Sequence, residues 1–218
     1  LFAMSASAQD KPKLILQITV DQLRGDLPGR YYDRLGDGGF KYLLDEGVHY
    51  IDAHHGHANL ETIVGHATLA TGGNSTHHGM VSNSWWDRDL GEHVNSVQDA
   101  QSPYIDESSR TGRSPLRLKA STFSDELILA TGGASRAFGV STKDRGAIIL
   151  AGRGGKAYWY STQTGRYTTT TWYHREYPEW VNAWNEQNLA ATYAGQSWVL
   201  GADRVSDSAA NRGDRPVV

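Results

Sequence analysis

The run from Lys13 to Val20 constrains the fold of this chain most strongly. Leu14, Ile15, Leu16, Ile18 and Val20 are apolar, several of its residues are β-branched, and the run leads directly into Asp21. Such a segment predicts a largely buried strand whose C-terminal end delivers Asp21 into the loop above a sheet, where α/β folds place function. Apolar residues then recur at Tyr32, Leu35, Phe40, Leu43 and Leu44, and Gly47 follows. This spacing predicts a helix from about Gly38 to Glu46, capped by Gly47, with a shorter helical piece before it. Residues 48–53 would form the next strand, so the opening order is strand, helix, strand, as expected of an α/β fold.

Beyond a histidine-rich stretch over 54–61, Thr62-Ile-Val-Gly-His-Ala-Thr-Leu-Ala70 has a short helical pattern that the pair Gly72-Gly73 ends. Residues 83–101 read as an excursion containing a short hairpin, and 102–117 as a surface loop without periodicity. Phe123, Leu127 and Ala130 predict a helix within 118–130, with Thr122 or Ser124 able to cap it. Residues 137–141 and 147–151 read as two short strands flanking Thr142-Lys-Asp-Arg-Gly146. From Gly152 onward, aromatics alternate with threonines and glycines through Tyr158-Trp-Tyr160 and residues 167–173. That pattern suits a β-ribbon over a core, followed by a short helix.

At 218 residues the chain is long enough for one substantial core. A formal charge of -3 gives no general attraction to nucleic acid, and no apolar run approaches the roughly 18 residues of a membrane span. The chain has no cysteine, so any metal must be held by oxygen and nitrogen ligands, and no thiolate can act as nucleophile. Residues 1–10, with Ala6 and Ala8 before a cut at Gln9, read as the remnant of an export signal.

The chemistry-bearing candidates each have an ordinary alternative. Thr62 at a loop-to-helix junction reads first as a helix cap, yet the same place sets a hydroxyl beside unpaired backbone N–H groups that favour an anion. His54, His55, His57, His77 and His78 are expected to be surface histidines or supports rather than metal ligands. His66, four residues after Thr62, falls on the same helical face and would support a site there. Lys143 and Arg145 would point to the same side of an extended segment, either repelling one another until an anion sits between them or pairing with Asp144 and other acids.

Taken together these segments are distinctive. Lys11-Pro-Lys-Leu-Ile-Leu-Gln-Ile-Thr-Val-Asp-Gln-Leu-Arg-Gly-Asp26 and Gly38-Gly-Phe-Lys-Tyr-Leu-Leu-Asp-Glu-Gly47 strongly resemble the opening of bacterial alkaline phosphatases of the PafA type. These are relatives of the nucleotide pyrophosphatase/phosphodiesterases. Thr62-Ile-Val-Gly-His-Ala-Thr-Leu-Ala-Thr-Gly72 resembles that family's nucleophile helix, and His78-Gly-Met-Val-Ser-Asn-Ser-Trp-Trp-Asp87 its asparagine loop. Ser141-Thr-Lys-Asp-Arg-Gly-Ala-Ile-Ile-Leu-Ala-Gly152 resembles the segment carrying its phosphate-binding lysine and arginine. The resemblance runs in order over about residues 11–185.

It implies an α/β/α sandwich around a central, mostly parallel sheet, of which residues 11–218 would be the N-terminal part of one catalytic domain, with inserted loops at about 84–117 and 153–185. It implies that Asp21 and Thr62 bind metal, that Thr62 is the nucleophile, and that Asn83, Lys143 and Arg145 bind phosphate. The cofactor would be two Zn2+, the substrates small-molecule phosphate monoesters, and the location periplasmic or secreted, with no nucleic-acid partner and the oligomeric state left open. The family's later metal-binding aspartates and histidines have no match here, since Asp203 is followed by Arg204 and no histidine comes after His174. The remaining ligands are therefore expected beyond residue 218. Glu61, beside the nucleophile, departs from the family pattern and would weaken anion binding or face solvent. The competing readings are a phosphodiesterase of the same superfamily, which Lys143 and Arg145 disfavour, and a noncatalytic phosphate-binding protein.

Overall fold

A computed structural model describes residues 12–107 and 109–197, so the export-signal reading of residues 1–10 and the Asp203-Arg204 pair lie outside the described residues. In chain order the helices and strands are α1 (Leu27–Arg30), a 3-10 turn (Tyr32–Arg34), α2 (Phe40–Glu46), α3 (Thr62–Thr71), α4 (Ser75–His78), β1 (Ser84–Asp87) and β2 (Glu92–Asn95). They continue with α5 (Phe123–Ala130), β3 (Phe138–Ser141), α6 (Asp144–Ala151), β4 (Lys156–Ser161), β5 (Arg166–Thr168), α7 (Glu179–Glu186) and α8 (Leu189–Thr192).

The organising unit is β3-α6-β4, in which the two strands pair in parallel from Phe138↔Lys156 to Ser141↔Trp159. β5 returns antiparallel along β4, with Trp159 opposite Thr168. The sheet is therefore mixed and three-stranded, ordered β3-β4-β5. β4 is buried on both faces, as a strand between two helical layers must be. Ala157 and Trp159 face the core with α3 and α6, while Tyr158 meets Trp180 of α7 edge-on at 4.9 Å. This is, in partial form and with a mixed sheet, the α/β architecture that the family resemblance implied.

The core is built from Ile63, Val64, Ala67 and Ala70 of α3 against Ala147, Ile148, Ile149 and Ala151 of α6, with Met80, Val97 and Leu118 closing it. Small residues at the α3–α6 contact let the two helices approach, and α6 lies equally close to the sheet. At Gly139 of β3, a Cβ would stand 2.1 Å from the Ala147 carbonyl oxygen, so only glycine permits that contact. α5 begins with a complete capping box between Thr122 and Asp125, and α3 ends where Gly72 takes a left-handed conformation at φ 68°.

Four expectations are corrected. Residues 14–20 form no strand among the described residues. A cleft of about 250 Å³ lies between Gln17, Ile18 and Thr19 and the β3 residues Val140 and Ser141, and a ladder forms only where backbones approach to about 4.8 Å. Leu14, Leu16 and Ile18 are accordingly exposed rather than buried. Residues 48–53 are likewise turn and coil rather than strand. Residues 147–151 belong to helix α6, because the apolar run Ala147-Ile-Ile-Leu-Ala151 packs between α3 and the sheet. The 102–117 segment is not a surface loop: Ser102, Tyr104, Glu107 and Ser114 are buried, and isolated bridges join Gln98 to Arg113 and Tyr104 to Thr170. The hairpin over 83–101 and the ribbon and helix after Gly152 form as β1–β2, β4–β5 and α7.

Candidate active site

Two helix N-termini lie at the same end of the packed α3–α6 pair, and the sequence-predicted site residues are distributed around them. Thr62 is the first helical residue of α3. The cap position is Glu61, with extended backbone and no side-chain cap bond, so the simple capping role for Thr62 does not apply. The Thr62 hydroxyl is instead directed across the chain and donates to Asp21 Oδ2 at 3.3 Å. Asp21 sits on a tight turn whose next residue, Gln22, has φ 62°. That conformation is uncommon for a residue with a side chain. A cleft of about 300 Å³ opens over Asp21, Glu61, Thr62 and His66.

Asn83 approaches the same helix end from the loop before β1. Its Oδ1 accepts the Ile63 backbone N–H at 3.2 Å, satisfying one of the donors that a helix start leaves without an intrahelical partner. With the oxygen so engaged, the two Nδ2 hydrogens are the groups Asn83 can offer to an anion. Glu61 is exposed, as one of its two expected fates had it, but its carboxylate is also engaged in hydrogen bonds. Oε2 accepts the Asn83 backbone N–H at 2.5 Å and the Ser82 hydroxyl at 2.9 Å. These two bonds, with a smaller contribution from the Arg145 charge, hold its carboxyl below the usual carboxylate range. Sequence reading missed this role because the partners lie more than 20 residues away.

Lys143 and Arg145 do not share an extended segment. Lys143 is the exposed cap residue of α6 and Arg145 lies in its first turn, so the helix start rather than strand alternation sets their directions. Among the described residues Lys143 makes no ion pair. The acid between them serves a different cation: Asp144 Oδ2 accepts from Arg113 Nε at 2.7 Å, whereas Arg145 Nε stands 3.8 Å from Asp144 Oδ1. Arg145 Nε is buried with no hydrogen-bond partner among the described residues, a donor whose hydrogen-bonding capacity is unused there.

His66 is buried, with Nδ1 2.8 Å from the Thr62 carbonyl oxygen. His78, expected at the surface or as a support, is fully buried. Its Nδ1 accepts the Met80 N–H at 3.1 Å, which places the ring proton on Nε2, 3.2 Å from Thr68 Oγ1. Thr68 Oγ1 is also 3.1 Å from His57 Nε2, so these histidines brace the loop before α3. The aromatic stretch after residue 157 packs over the sheet: Tyr158 and Tyr167 with Trp180 and Trp184 line an apolar cleft of about 200 Å³.

As a test of metal fit, Asp21 and Thr62 supply two adjacent oxygen donors, the hard donor type an Asp-rich zinc site uses, facing an open cleft. Among the described residues no three acids or histidines gather into a site able to hold a metal ion. Two oxygen donors are fewer than the four ligands a zinc ion usually takes.

The profile of a family described as type I phosphodiesterase / nucleotide pyrophosphatase matches residues 15–188. The chain is 37% identical over 201 residues to "Alkaline phosphatase PafA" of Elizabethkingia meningoseptica, covering 91% of this chain and 37% of that protein. It is 37% identical over 215 residues to "Alkaline phosphatase PhoV" of Synechococcus elongatus, covering 91% of this chain and 39% of the relative. The crystal structure of wild-type PafA superposes with a TM-score of 0.79 at 36% identity, covering 82% of this chain and 35% of that one. The chain thus spans less than half the length of these relatives.

Proposed function

The chain belongs to the type I phosphodiesterase / nucleotide pyrophosphatase family, and from that premise we propose that it carries the nucleophile and phosphate clamp of an exported, zinc-dependent phosphomonoesterase. The observation that carries this reading is the hydrogen bond from the Thr62 hydroxyl to Asp21 at the start of α3. It sets a nucleophile at a helix N-terminus, where negative charge is favoured.

In this reading Thr62 Oγ1 attacks phosphorus, the P–O bond to the alcohol breaks on the opposite side, and Thr62 carries the phosphoryl group as phosphothreonine. Water then attacks phosphorus from the vacated side, regenerating the Thr62 hydroxyl and releasing inorganic phosphate; two inversions leave net retention. Asp21 and Thr62 would hold one side of a two-zinc centre, which when bound lowers the pKa of the hydroxyl and offsets charge on the leaving oxygen. Such a centre would need ligands besides these two.

The chain's own contribution is positional. α3 is buried along Ile63, Val64 and Ala67, so Thr62 stands on a rigid element. Asn83 Nδ2, the Lys143 ammonium and the Arg145 guanidinium supply donors to the three nonbridging oxygens on which transition-state charge spreads. Lys143 acts as a compact charge and Arg145 as a planar fork. A phosphate monoester has one more charged oxygen than a diester, and these two cations suit that extra charge. The family's name keeps a phosphodiesterase as the second reading.

Hydrolysis of an aryl phosphate monoester and the matched diester by the full-length, zinc-loaded protein separates the two. A strong monoester preference, lost in Thr62→Ala and reduced in a Lys143→Ala/Arg145→Ala double variant, is expected. Diester preference would move the assignment to the phosphodiesterase branch. No turnover of either would leave a phosphate-binding protein.

A further inference from the structure

We propose that Glu61 is a positioning residue for the phosphate-binding amide of Asn83, an inference that rests on the reading of Asn83 as a phosphate ligand. Two reciprocal connections tie the start of α3 to the loop before β1. The Asn83 side chain accepts from the Ile63 backbone N–H at 3.2 Å. The Glu61 side chain accepts from the Asn83 backbone N–H at 2.5 Å and from the Ser82 hydroxyl at 2.9 Å. Glu61 is itself fixed at the helix start, because its carbonyl oxygen accepts from Val64 and Gly65 at 3.0 and 3.1 Å. Its own N–H donates to Asn59 Oδ1 at 3.2 Å.

The consequence is orientational. An asparagine side chain has two rotatable bonds and an amide that can be turned end for end. The Ile63 bond selects which end faces the helix, and the Glu61 bonds fix the backbone from which the side chain projects. With both in place the Nδ2 hydrogens have one direction, set before an anion arrives, which is what a preorganised donor requires. A carboxylate beside a phosphate site would otherwise repel the substrate. Here Oε2 is occupied by a backbone and a hydroxyl donor, so the charge is partly offset by bonds of its own.

A double-mutant cycle tests the proposal on the full-length, metal-loaded protein, reading kcat/KM for an aryl phosphate monoester and calorimetric binding of inorganic phosphate. Asn83→Ala is expected to lower kcat/KM by about 10², and Glu61→Ala by about tenfold, with phosphate binding weakened in both. Glu61→Ala/Asn83→Ala should be no worse than Asn83→Ala alone, since Glu61 acts through the side chain already removed. Glu61→Gln, whose amide oxygen accepts the same two bonds, should recover most of the Glu61→Ala loss. Should Glu61→Ala fail to fold, Glu61→Asp, drawn back by one methylene, takes its place in the cycle.

Losses that multiply in the double variant would overturn the proposal, as would a silent Glu61→Ala beside an impaired Asn83→Ala. A silent Asn83→Ala would remove the phosphate-ligand reading as well, so the two failures are distinguishable.

Discussion

Arg113 Nε donates to Asp144 Oδ2 at 2.7 Å, joining the 102–117 segment to the first turn of α6 with both side chains largely buried. Asp144 Oδ1 also accepts the Arg145 backbone N–H at 2.8 Å. Arg113 is held in turn through its carbonyl oxygen, which accepts the Thr170 hydroxyl at 2.7 Å. Arg113→Ala leaves the Asp144 carboxylate without its cation at the helix start that bears Lys143 and Arg145. The expected cost is about 2 kcal/mol, in the range of a hydrogen bond to a charged group, measured by urea unfolding. Monoester kcat/KM should fall with it. An unchanged unfolding midpoint would show that the pair contributes nothing.

Asp125 gathers four donors at the start of α5. Oδ2 accepts the Thr122 backbone N–H and hydroxyl at 3.0 and 2.9 Å, and Oδ1 accepts the backbone N–H groups of Arg153 and Gly154, each at 2.8 Å. Asp125→Ala removes the capping box and releases the turn after α6. A loss of about 2 to 3 kcal/mol is expected, and Asp125→Asn should recover part of it because its oxygen still accepts. Equal losses in the two variants would rule out a hydrogen-bonding role.

Gly139→Ala tests the closeness of β3 to α6. The added methyl would meet the Ala147 carbonyl oxygen at 2.1 Å, and that oxygen belongs to helix backbone that cannot move without the whole of α6. Destabilisation of about 2 kcal/mol or more is expected, in the upper range for overpacking, together with weaker phosphate binding as Lys143 and Arg145 shift. Normal stability in thermal unfolding would count against so tight an approach.

Stability should fall on mild acidification. Burial pushes the imidazoles of His78 and His174 down, with the neighbouring His57 and His77 adding to the effect at His78 and Lys156 at His174. As pH falls below about 6.5 the unfolded histidines take up protons that the folded ones refuse. The unfolded state then binds more protons, and stability declines from neutral pH toward the lowered folded values. Urea midpoints between pH 7.5 and 5.5 should drop in the unsubstituted protein and drop less in His78→Gln. Parallel profiles would clear His78 of this role.

How much of the molecule the sequence determined depends on the range of the interactions involved. Helix α3 and its end at Gly72, the Thr122 cap of α5, the β1–β2 hairpin and the β4–β5 ribbon rest on contacts within a few residues, and all were legible in the local pattern. Thr62 and Asp21 were marked by their places at a helix start and after an apolar run, and the fold brings the two side chains together. Tertiary structure alone decided the rest. Asp144-Arg-Gly-Ala-Ile-Ile-Leu-Ala151 has the short apolar run of a strand, and packing between α3 and the sheet made it a helix. The same packing set Lys143 and Arg145 at a helix start. Residues 14–20 have the composition of a buried strand, yet they pair with no strand among the described residues, and Leu14, Leu16 and Ile18 stand exposed. Glu61 bonds to residues 21 and 22 positions away and Arg113 to one 31 positions away. A hydrogen bond needs two groups at about 3 Å, and only the folded chain determines which distant groups come that close.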